Sequence, residues 1–201
     1  MIEWVTGVVA ALGWPGVLAL MFLENLFPPI PSEVIMPLAG FAASRGQMSF
    51  VLAVLAGIAG TLLGNAVWYE LARAIGARRI RPLFARYGRW FAVDEKDFDR
   101  AEATLRKYGA VALFFGRLLP AIRTLISIPA GIAHIPRHVF YVWTAAGSAV
   151  WVLFLASAGY MLRDHYDRIE TWLEPMSYVV LAAIIGSYLW HIWSTRVRRQ
   201  D

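Results

Sequence analysis

The sequence has 201 residues, of which 59% are hydrophobic and 16% are charged, and its formal net charge is +5. Soluble domains average about 45–50% apolar and about 25% charged residues, so this composition excludes an ordinary soluble domain and predicts an all-α polytopic membrane protein. The absence of cysteine excludes disulfides and thiolate metal sites. The positive charge is concentrated in arginine clusters between apolar segments, which the positive-inside rule explains more simply than nucleic-acid binding.

The chain begins with short apolar segments. Met1–Leu12 permits two interpretations, a further span joined to the next segment or an interfacial helix. The next two segments, Pro15–Phe27 and Val34–Ala43, each cover only about half to two-thirds of a bilayer at roughly 1.5 Å per residue. Two short arms joined by a break predict a re-entrant helical hairpin over residues 15–43.

The break between these arms is acidic and contains proline. Glu24 and Glu33 flank it, and Pro28 and Pro31 lie between them. Proline interrupts a helix because it lacks an N–H and clashes with the preceding turn. A charge at membrane depth is costly and usually marks a substrate or ion pathway. We therefore predict that Pro28 and Pro31 form the hairpin break and that the two glutamates face a pathway.

Three later segments are long enough to cross the membrane in full, namely Phe50–Ile75, Val139–Leu162 and Met176–Trp193. Residues 76–108 predict a basic cytoplasmic loop that ends in an amphipathic helix over Asp94–Tyr108. Gly109 suits the C-terminal stop of that helix.

A second broken segment follows at residues 110–133, and its charges are basic. Its arms are Ala110–Leu119 and Thr124–Ala133, and Arg117, Pro120 and Arg123 lie around the break. The same reasoning predicts a second re-entrant hairpin with its break at Pro120.

The basic clusters set the predicted orientation. Arginines follow both the first and the last full span, so both regions are expected in the cytoplasm, with the C-terminus. The first hairpin then enters from outside, the second enters from the cytoplasm, and Arg163–Glu170 lies outside. The whole chain, residues 1–201, is predicted to form a single transmembrane domain with two oppositely inserted hairpins and three full transmembrane helices. The arginines of these clusters are Arg73, Arg78, Arg79, Arg81, Arg86, Arg89, Arg196, Arg198 and Arg199.

A short internal similarity supports this arrangement. Residues 37–42, Pro-Leu-Ala-Gly-Phe-Ala, resemble residues 129–133, Pro-Ala-Gly-Ile-Ala. Each precedes a span with an Ala-Gly pair, at Ala56-Gly57 and Ala146-Gly147. A hairpin and a span repeated with opposite insertion indicate an inverted-repeat transporter, whose site lies at the repeat interface.

The two arginines predict a phosphate-binding site. A guanidinium presents a fork of donors that matches phosphate and stays charged at every relevant pH. Arg117 and Arg123 beside a helix break can hold a phosphate group, and Thr124 can add a hydroxyl. The alternative is that both arginines only neutralise Glu24 and Glu33.

The two glutamates predict proton coupling. Burial raises the pKa of a carboxylate and a nearby arginine lowers it, so a site that alternates between these conditions can take up and release a proton. Glu24 and Glu33 are the candidates, although Ser32 can cap the arm that starts at Glu33 and give that acid a structural role.

Other polar residues in the apolar segments have weaker implications. Asn65 either lines the cavity or bridges helices, and Gly60 with Gly64 predicts a packing face. Glu70 and Arg73 are interpreted as an interfacial ion pair.

No motif predicts an enzyme or a cofactor. The four histidines are scattered, and no hydrolase, metalloprotease or P-loop motif is present. We therefore expect no catalytic residues, no metal site and no cofactor.

The chain resembles the DedA membrane-protein family, whose domain is also described as the SNARE-associated or VTT domain. The resemblance covers about residues 10–165. Asn65 and Tyr69 are also similar to recurring positions of the family, and both are candidates for lining a cavity. The motifs that carry the resemblance are Glu24-x-x-x-Pro28-x-x-Pro31-x-Glu33, Phe115-Gly116-Arg117-Leu118-Leu119-Pro120-x-x-Arg123-Thr124, and Ala130-Gly131.

The resemblance implies facing re-entrant hairpins and lipid transport across the bacterial inner membrane. Family members are associated with recycling of undecaprenyl phosphate or with movement of phosphatidylethanolamine, and some depend on the proton motive force. The matching acids are Glu24 and Glu33, and the matching arginines are Arg117 and Arg123. Many members carry Asp where this chain has Asn65, which puts a proton-relay role at that position in doubt.

Together these patterns predict a proton-coupled transporter of undecaprenyl phosphate from the outer to the inner leaflet. One alternative is a flippase or scramblase for phospholipids such as phosphatidylethanolamine. Another is a proton-coupled antiporter for small ions or drugs, and a third is a membrane assembly factor without transport. The expected partners are membrane lipids and protons, nucleic acid is excluded, and a homo-oligomer is left open.

Overall fold

The computed structural model describes residues 2–26, 32–76, 103–119, 123 and 126–161, and every regular element in these ranges is helical. We number the main helices in chain order, and residues 103–108 form a further helical segment. The helices are α1 (Ile2–Leu12), α2 (Trp14–Leu26), α3 (Ser32–Ser44), α4 (Phe50–Ile75), α5 (Ala110–Leu118), α6 (Ser127–Ile132) and α7 (Arg137–Met161).

Two of these helices are long and apolar enough to cross a membrane. α4 has 26 residues and α7 has 25, with mean hydropathies of 2.0 and 1.8 over their most apolar windows. At roughly 1.5 Å per residue they extend about 37–39 Å, which exceeds the hydrocarbon core of about 30 Å. These two helices confirm the prediction of a helical membrane protein. The predicted third span, Met176–Trp193, lies outside the described residues.

The N-terminal segment is a separate helix. α1 ends at Leu12, and Gly13 turns the chain into α2 with a φ of 61°. This left-handed conformation favours glycine because a Cβ would be strained there. Pro15, the first residue of the next predicted segment, lies in the first turn of α2, where a proline is tolerated. Val5 and Val9 of α1 are buried against the core.

Gly109 also turns the chain with a positive φ, of 46°. Its N–H donates to the carbonyl of Leu105 at 2.8 Å, so the helical segment 103–108 ends there. The rest of the predicted amphipathic helix and most of the basic loop lie outside the described residues.

The short helices pair with the two long ones in a crossed pattern. α2 packs on α4, the span that follows it, whereas α3 packs on α7. In the second half α5 packs on α7, whereas α6 packs on α4. Each long helix therefore carries one short helix from each half, and the two halves interlock around the long pair.

Buried polar side chains separate two apolar clusters along both long helices. We call these side chains the polar layer, and on the long helices they are Thr61, Asn65, Thr144 and Ser148. From its N-terminus α4 passes through the cluster containing Ala56, then Thr61 and Asn65, then the cluster containing Tyr69. α7 meets the same clusters in the opposite order, with Phe140 in the second cluster and Val152 in the first. The long helices therefore run antiparallel, with buried polar side chains at their middle.

Two glycines let α2 approach α4 and α5 approach α7 closely. A Cβ added to Gly64 would lie 2.6 Å from the Cβ of Asn25, and one added to Gly147 would lie 2.8 Å from the Cβ of Arg117. Gly60 faces the backbone of Leu18 in the same way. The predicted packing face on α4 thus receives α2, and Asn25 and Arg117 occupy equivalent positions in the two halves.

These equivalent contacts define the register of the internal repeat. Gly64 corresponds to Gly147, so residues 61–68, Thr-Leu-Leu-Gly-Asn-Ala-Val-Trp, align with residues 144–151, Thr-Ala-Ala-Gly-Ser-Ala-Val-Trp. The register inferred from the Ala-Gly pairs is wrong by two helical turns, because Gly57 contacts Met36 and Val152 rather than a first hairpin arm.

Candidate functional site

The acidic end of α2 enters the polar layer. Glu24 and Asn25 are both 3% exposed, although the rest of this helix is apolar. The amide nitrogen of Asn25 donates to the carbonyl of Met21 at 2.8 Å and to Glu24 Oε2 at 2.7 Å. These bonds hold the Glu24 carboxylate in a fixed position at the edge of the hairpin break.

Arg123 joins the basic break to the acidic one. Its Nη2 donates to Glu24 Oε1 and lies 3.8 Å from Glu33 Oε2. The side chains of Arg123 and Glu24 are 12% and 4% exposed, whereas that of Glu33 is 40% exposed. The structure thus brings three of the four predicted charged residues together. Removing one partner of a buried pair leaves an uncompensated charge, which is strongly destabilising.

Arg117, the fourth charged residue, is 2% exposed and is held by neutral groups. Its Nη1 donates to Asn65 Oδ1 at 2.6 Å and to the carbonyl of Arg123. Its Nη2 donates to Ser127 Oγ at 2.8 Å and to Thr144 Oγ1 at 3.3 Å. Among the described residues no carboxylate pairs with it. Both terminal nitrogens of the Arg117 guanidinium therefore donate to protein acceptors. Its Nε has no hydrogen-bond partner among the described residues.

Asn65 is the centre of this network. Its Oδ1 accepts from Arg117 and from Ser127 Oγ at 2.8 Å, and its Nδ2 donates to Asn25 Oδ1 at 2.7 Å and to the carbonyl of Thr61 at 2.8 Å. These four bonds use the full capacity of a side-chain amide. Of the two interpretations made from the sequence, the structure gives Asn65 the bridge between helices.

The other end of α4 carries a second polar cluster. Tyr69 stacks on Phe140 with ring centroids 3.9 Å apart, and its hydroxyl donates to the carbonyl of Ile135 at 2.5 Å. Arg73 also donates to that carbonyl and to the Tyr69 hydroxyl, both at 2.9 Å. Tyr69 therefore lies in the apolar cluster that contains Phe140, outside the polar layer.

Glu70 does not pair with Arg73 as the sequence suggested. It receives two hydrogen bonds from Arg137, at 2.8 and 2.9 Å, and one from Tyr141 at 3.2 Å. The correction has a geometric reason, since the Ile135 carbonyl engages Arg73 while the start of α7 brings Arg137 to Glu70.

A small cavity lies within the polar layer, and we call it the polar cavity. The volume open to the centre of a water molecule is about 10 Å³, which is close to the space that one water needs. Its lining residues are Asn25, Thr61, Arg117, Arg123, Ser148, Trp151 and Val152.

Several residues of this site were not singled out from the sequence. Asn25, Ser127 and Thr144 bind the charged residues, and Thr61 and Ser148 line the polar cavity. A signal was available, because buried polar residues recur four apart on both long helices, which places them on one face. Thr124, Pro28, Pro31 and Pro120 lie outside the described residues.

The described residues contain no group of three or more histidine, aspartate or glutamate side chains that could hold a metal ion. The chemistry available at the site is therefore the recognition of anions by arginine, amide and hydroxyl donors, together with proton binding by two carboxylates.

Helices α3 to α7, with Glu33, Arg117 and Arg123, lie within the part of the chain that a family model covers, whereas α2 and Glu24 precede it. The model of the VTT domain matches residues 30–161. The chain belongs to the VTT-domain family, which is the DedA family that the motifs resemble. No solved structure matches the chain.

Curated relatives match over most of their length. A protein from Lactococcus lactis subsp. cremoris, named alkaline phosphatase-like protein, is 34% identical over 92% of this chain and 86% of its own. Undecaprenyl phosphate transporter A of Staphylococcus aureus is 29% identical over 90% of this chain and 89% of its own. The Bacillus subtilis protein of the same name is 29% identical over 92% of this chain and 88% of its own.

Proposed function

We propose that this VTT-domain protein transports undecaprenyl phosphate from the outer to the inner leaflet of the bacterial inner membrane, coupled to protons. The observation that carries the proposal is the Glu24–Arg123–Glu33 cluster beside the buried Arg117, where the two helix breaks come together. The names of the relatives from Staphylococcus aureus and Bacillus subtilis support the choice of substrate.

Arg123 is the residue that we assign to the phosphate. It is the more exposed of the two arginines, and a carboxylate already occupies part of its fork. A phosphate oxygen and a carboxylate oxygen compete for the same donors, since both are anionic acceptors of guanidinium N–H groups. Substrate binding therefore displaces Glu24 or Glu33 from Arg123. Thr124 and Arg117 remain part of the proposed phosphate site.

Charge balance then links phosphate to protons. The two carboxylates and two guanidiniums of the site balance formally, and the site is largely buried. A phosphate monoester adds about 1.5–2 negative charges. Burying this charge is costly unless it is compensated. Protonation of Glu24, once Arg123 has left it, offsets one of these charges, so phosphate and proton enter together.

The proposed topology fits this cycle. Two hairpins that enter from opposite faces expose the site alternately, while the polyprenyl chain stays in lipid. The proposal keeps the C-terminus in the cytoplasm and places three full spans around the hairpins.

The test is transport of labelled undecaprenyl phosphate in proteoliposomes under an imposed pH gradient. Glu24→Gln removes the titratable group at nearly constant shape, so its transport should lose the response to the gradient. Glu70→Gln is the matched control, because Glu70 lies near the other end of α4, away from the polar cavity, and pairs with Arg137. A folded Glu24→Gln variant with the full rate and gradient response would remove Glu24 from the coupling.

A second candidate is phosphatidylethanolamine translocation. The open Glu33 carboxylate beside Arg123 offers an anion for an ammonium group next to a cation for a phosphate. The same liposomes with labelled phosphatidylethanolamine separate the two substrates.

A further inference from the structure

The polar cavity gathers polar atoms that have no hydrogen-bond partner. Among the described residues, the buried side-chain atoms without a partner are Thr61 Oγ1, Arg117 Nε, Ser148 Oγ and Trp151 Nε1. All four belong to residues that line this one cavity. Native structures pair the large majority of their buried polar groups, so exceptions that cluster around one space indicate a binding site.

The chemistry of these atoms selects an acceptor. Arg117 Nε and the indole nitrogen of Trp151 are donors only, and the hydroxyls of Thr61 and Ser148 can both donate. Ser148 is 4% exposed and Thr61 is 8% exposed, so water from outside does not satisfy them directly. Four donors around a space of about one oxygen atom favour a single, strongly accepting oxygen.

Charge favours an anionic oxygen. The Arg117 guanidinium is buried, and among the described residues its hydrogen-bond acceptors are neutral, as is the Phe140 ring, whose centroid lies 5.8 Å from its central carbon. A buried charge is costly without a counter-charge. Arg123 lines the same cavity, and its central carbon lies 5.8 Å from the Trp151 ring. An anion at this point therefore meets both arginines.

The internal repeat shows that two of the unpaired atoms, those of Ser148 and Trp151, are particular to the second half. The unpaired Thr61 belongs to the first half, and its counterpart Thr144 accepts from Arg117. Ser148 and Trp151 correspond to Asn65 and Trp68 of the first half. Asn65 makes four hydrogen bonds, and the Trp68 indole donates to the carbonyl of Asn25 at 3.0 Å. The same positions are thus paired in the first half and unpaired in the second, where the cavity lies.

We propose that the polar cavity receives one phosphoryl oxygen, with Trp151, Ser148 and Thr61 as specificity-determining donors beside Arg117 Nε. This inference rests on the proposed function in that the phosphoryl group is assigned to the lipid substrate, with Arg123 binding its other oxygens. A free phosphate ion offers the same oxygen, so the experiment measures both.

The experiment compares affinities for undecaprenyl phosphate and for inorganic phosphate in detergent micelles. Trp151→Phe removes the indole N–H and keeps an aromatic ring, and Ser148→Ala removes one hydroxyl. Each loses a charge-assisted hydrogen bond, so each should weaken lipid binding about tenfold. Trp143→Phe is the matched control, since Trp143 is 38% exposed and does not line the cavity. Thermal unfolding verifies that every variant is folded. If Trp151→Phe does not fold, the affinity of Ser148→Ala alone tests the inference.

The outcomes separate the inference from the proposed function. Loss of affinity for the lipid alone, or for both ligands, supports the cavity as a phosphoryl-oxygen site. If the wild type binds only inorganic phosphate and both variants weaken it, the cavity assignment stands and the lipid substrate is wrong. If the wild type binds the lipid and both variants bind it within twofold, the cavity does not contact the phosphate. Binding of neither ligand by the wild type overturns both.

Discussion

Exchange of arginine for lysine at positions 117 and 123 should have different consequences, although both residues were assigned to phosphate from the sequence. The two terminal nitrogens of Arg117 reach four acceptors, provided by Asn65, Arg123, Ser127 and Thr144. A lysine ammonium carries its three donors on one atom and cannot reproduce this planar fork. Arg117→Lys should therefore unfold more easily than the wild type as well as transport poorly.

The size of the effect follows from the number of bonds lost. Loss of two to three of the four bonds, at about 0.6 kcal/mol on average and up to about 1.7 kcal/mol each inside membranes, predicts a destabilisation of about 1–5 kcal/mol. Arg123→Lys retains an ion pair with Glu24 through a single nitrogen, so its stability should change by less than about 1 kcal/mol. Its transport should still fall sharply, because the fork that holds phosphate is lost.

The assay is unfolding of the purified variants in mixed detergent micelles, combined with transport in liposomes. Arg45→Lys is the control for the substitution itself, since Arg45 is exposed at the end of α3, where its guanidinium lies over the Phe41 ring. Wild-type stability of Arg117→Lys would refute the assignment of its fork to the protein network. Equal destabilisation of the two site variants would refute the distinction between a buried structural cation and a substrate-facing one.

The remaining predictions concern packing and topology. Gly147→Ala should lower the free energy of unfolding by about 1–3 kcal/mol through overpacking, because the new Cβ would lie 2.8 Å from that of Arg117. Gly7→Ala, with nothing within 4 Å, should instead stabilise α1 by about 0.5–1 kcal/mol, and the same sign in both unfolding measurements would contradict this reasoning. The chain has no cysteine, so single cysteines can be introduced and labelled individually. Cysteines that replace Arg86 and Arg199 should be labelled only from the cytoplasm, and one that replaces Arg163 only from outside. Labelling of the first two from opposite sides would exclude the predicted orientation.

The long helices α4 and α7 were predictable because their signals are local, whereas the predicted breaks at Pro28, Pro31 and Pro120 lie outside the described residues. An unbroken apolar run of the length of α4 or α7 predicts a membrane span without knowledge of the rest of the chain. A stretch of charged residues and proline within an apolar segment predicts, in the same local way, that the helix is interrupted. The contact between Arg123 and Glu24 joins residues 99 positions apart. It was still anticipated as an alternative, because opposite charges at membrane depth have few other partners.

The partners of Arg117 were not predictable in the same way. The spacing of four between Thr144 and Ser148 predicts a shared polar face of α7, but threonine and serine are common in membrane helices, so the sequence does not show that Thr144 and Ser127 face Arg117. The repeat register was missed for a different reason. The similarity of residues 61–68 to 144–151 is longer than that of the Ala-Gly pairs, but it spans only two turns inside apolar sequence. The equivalence of Gly64 and Gly147 becomes evident only when each is seen against its hairpin arm.

The position of Asn65 has a consequence for charge. The resemblance implies that many family members carry Asp there, and a carboxylate at this point would give Arg117 an anionic partner at the present 2.6 Å contact. With Asn65, the Arg117 charge is left to its neutral acceptors and to whatever anion enters the polar cavity. Under the proposed function, the amide thus keeps the second arginine available for the electrostatic attraction of phosphate.

Asn65→Asp should therefore weaken phosphate binding, and it should also disturb Glu24. The aspartate would lose the Nδ2 donor and place its oxygen against Asn25 Oδ1, at what is now a 2.7 Å hydrogen bond. Rotation of the Asn25 amide relieves this repulsion, but it breaks the bond from Asn25 Nδ2 to Glu24 Oε2. Phosphate affinity and the gradient response of transport should change together in this variant, whereas Asn65→Gln, which keeps a neutral amide, should affect stability more than affinity. A folded Asn65→Asp variant with wild-type affinity would show that Arg117 does not attract the phosphate through its uncompensated charge.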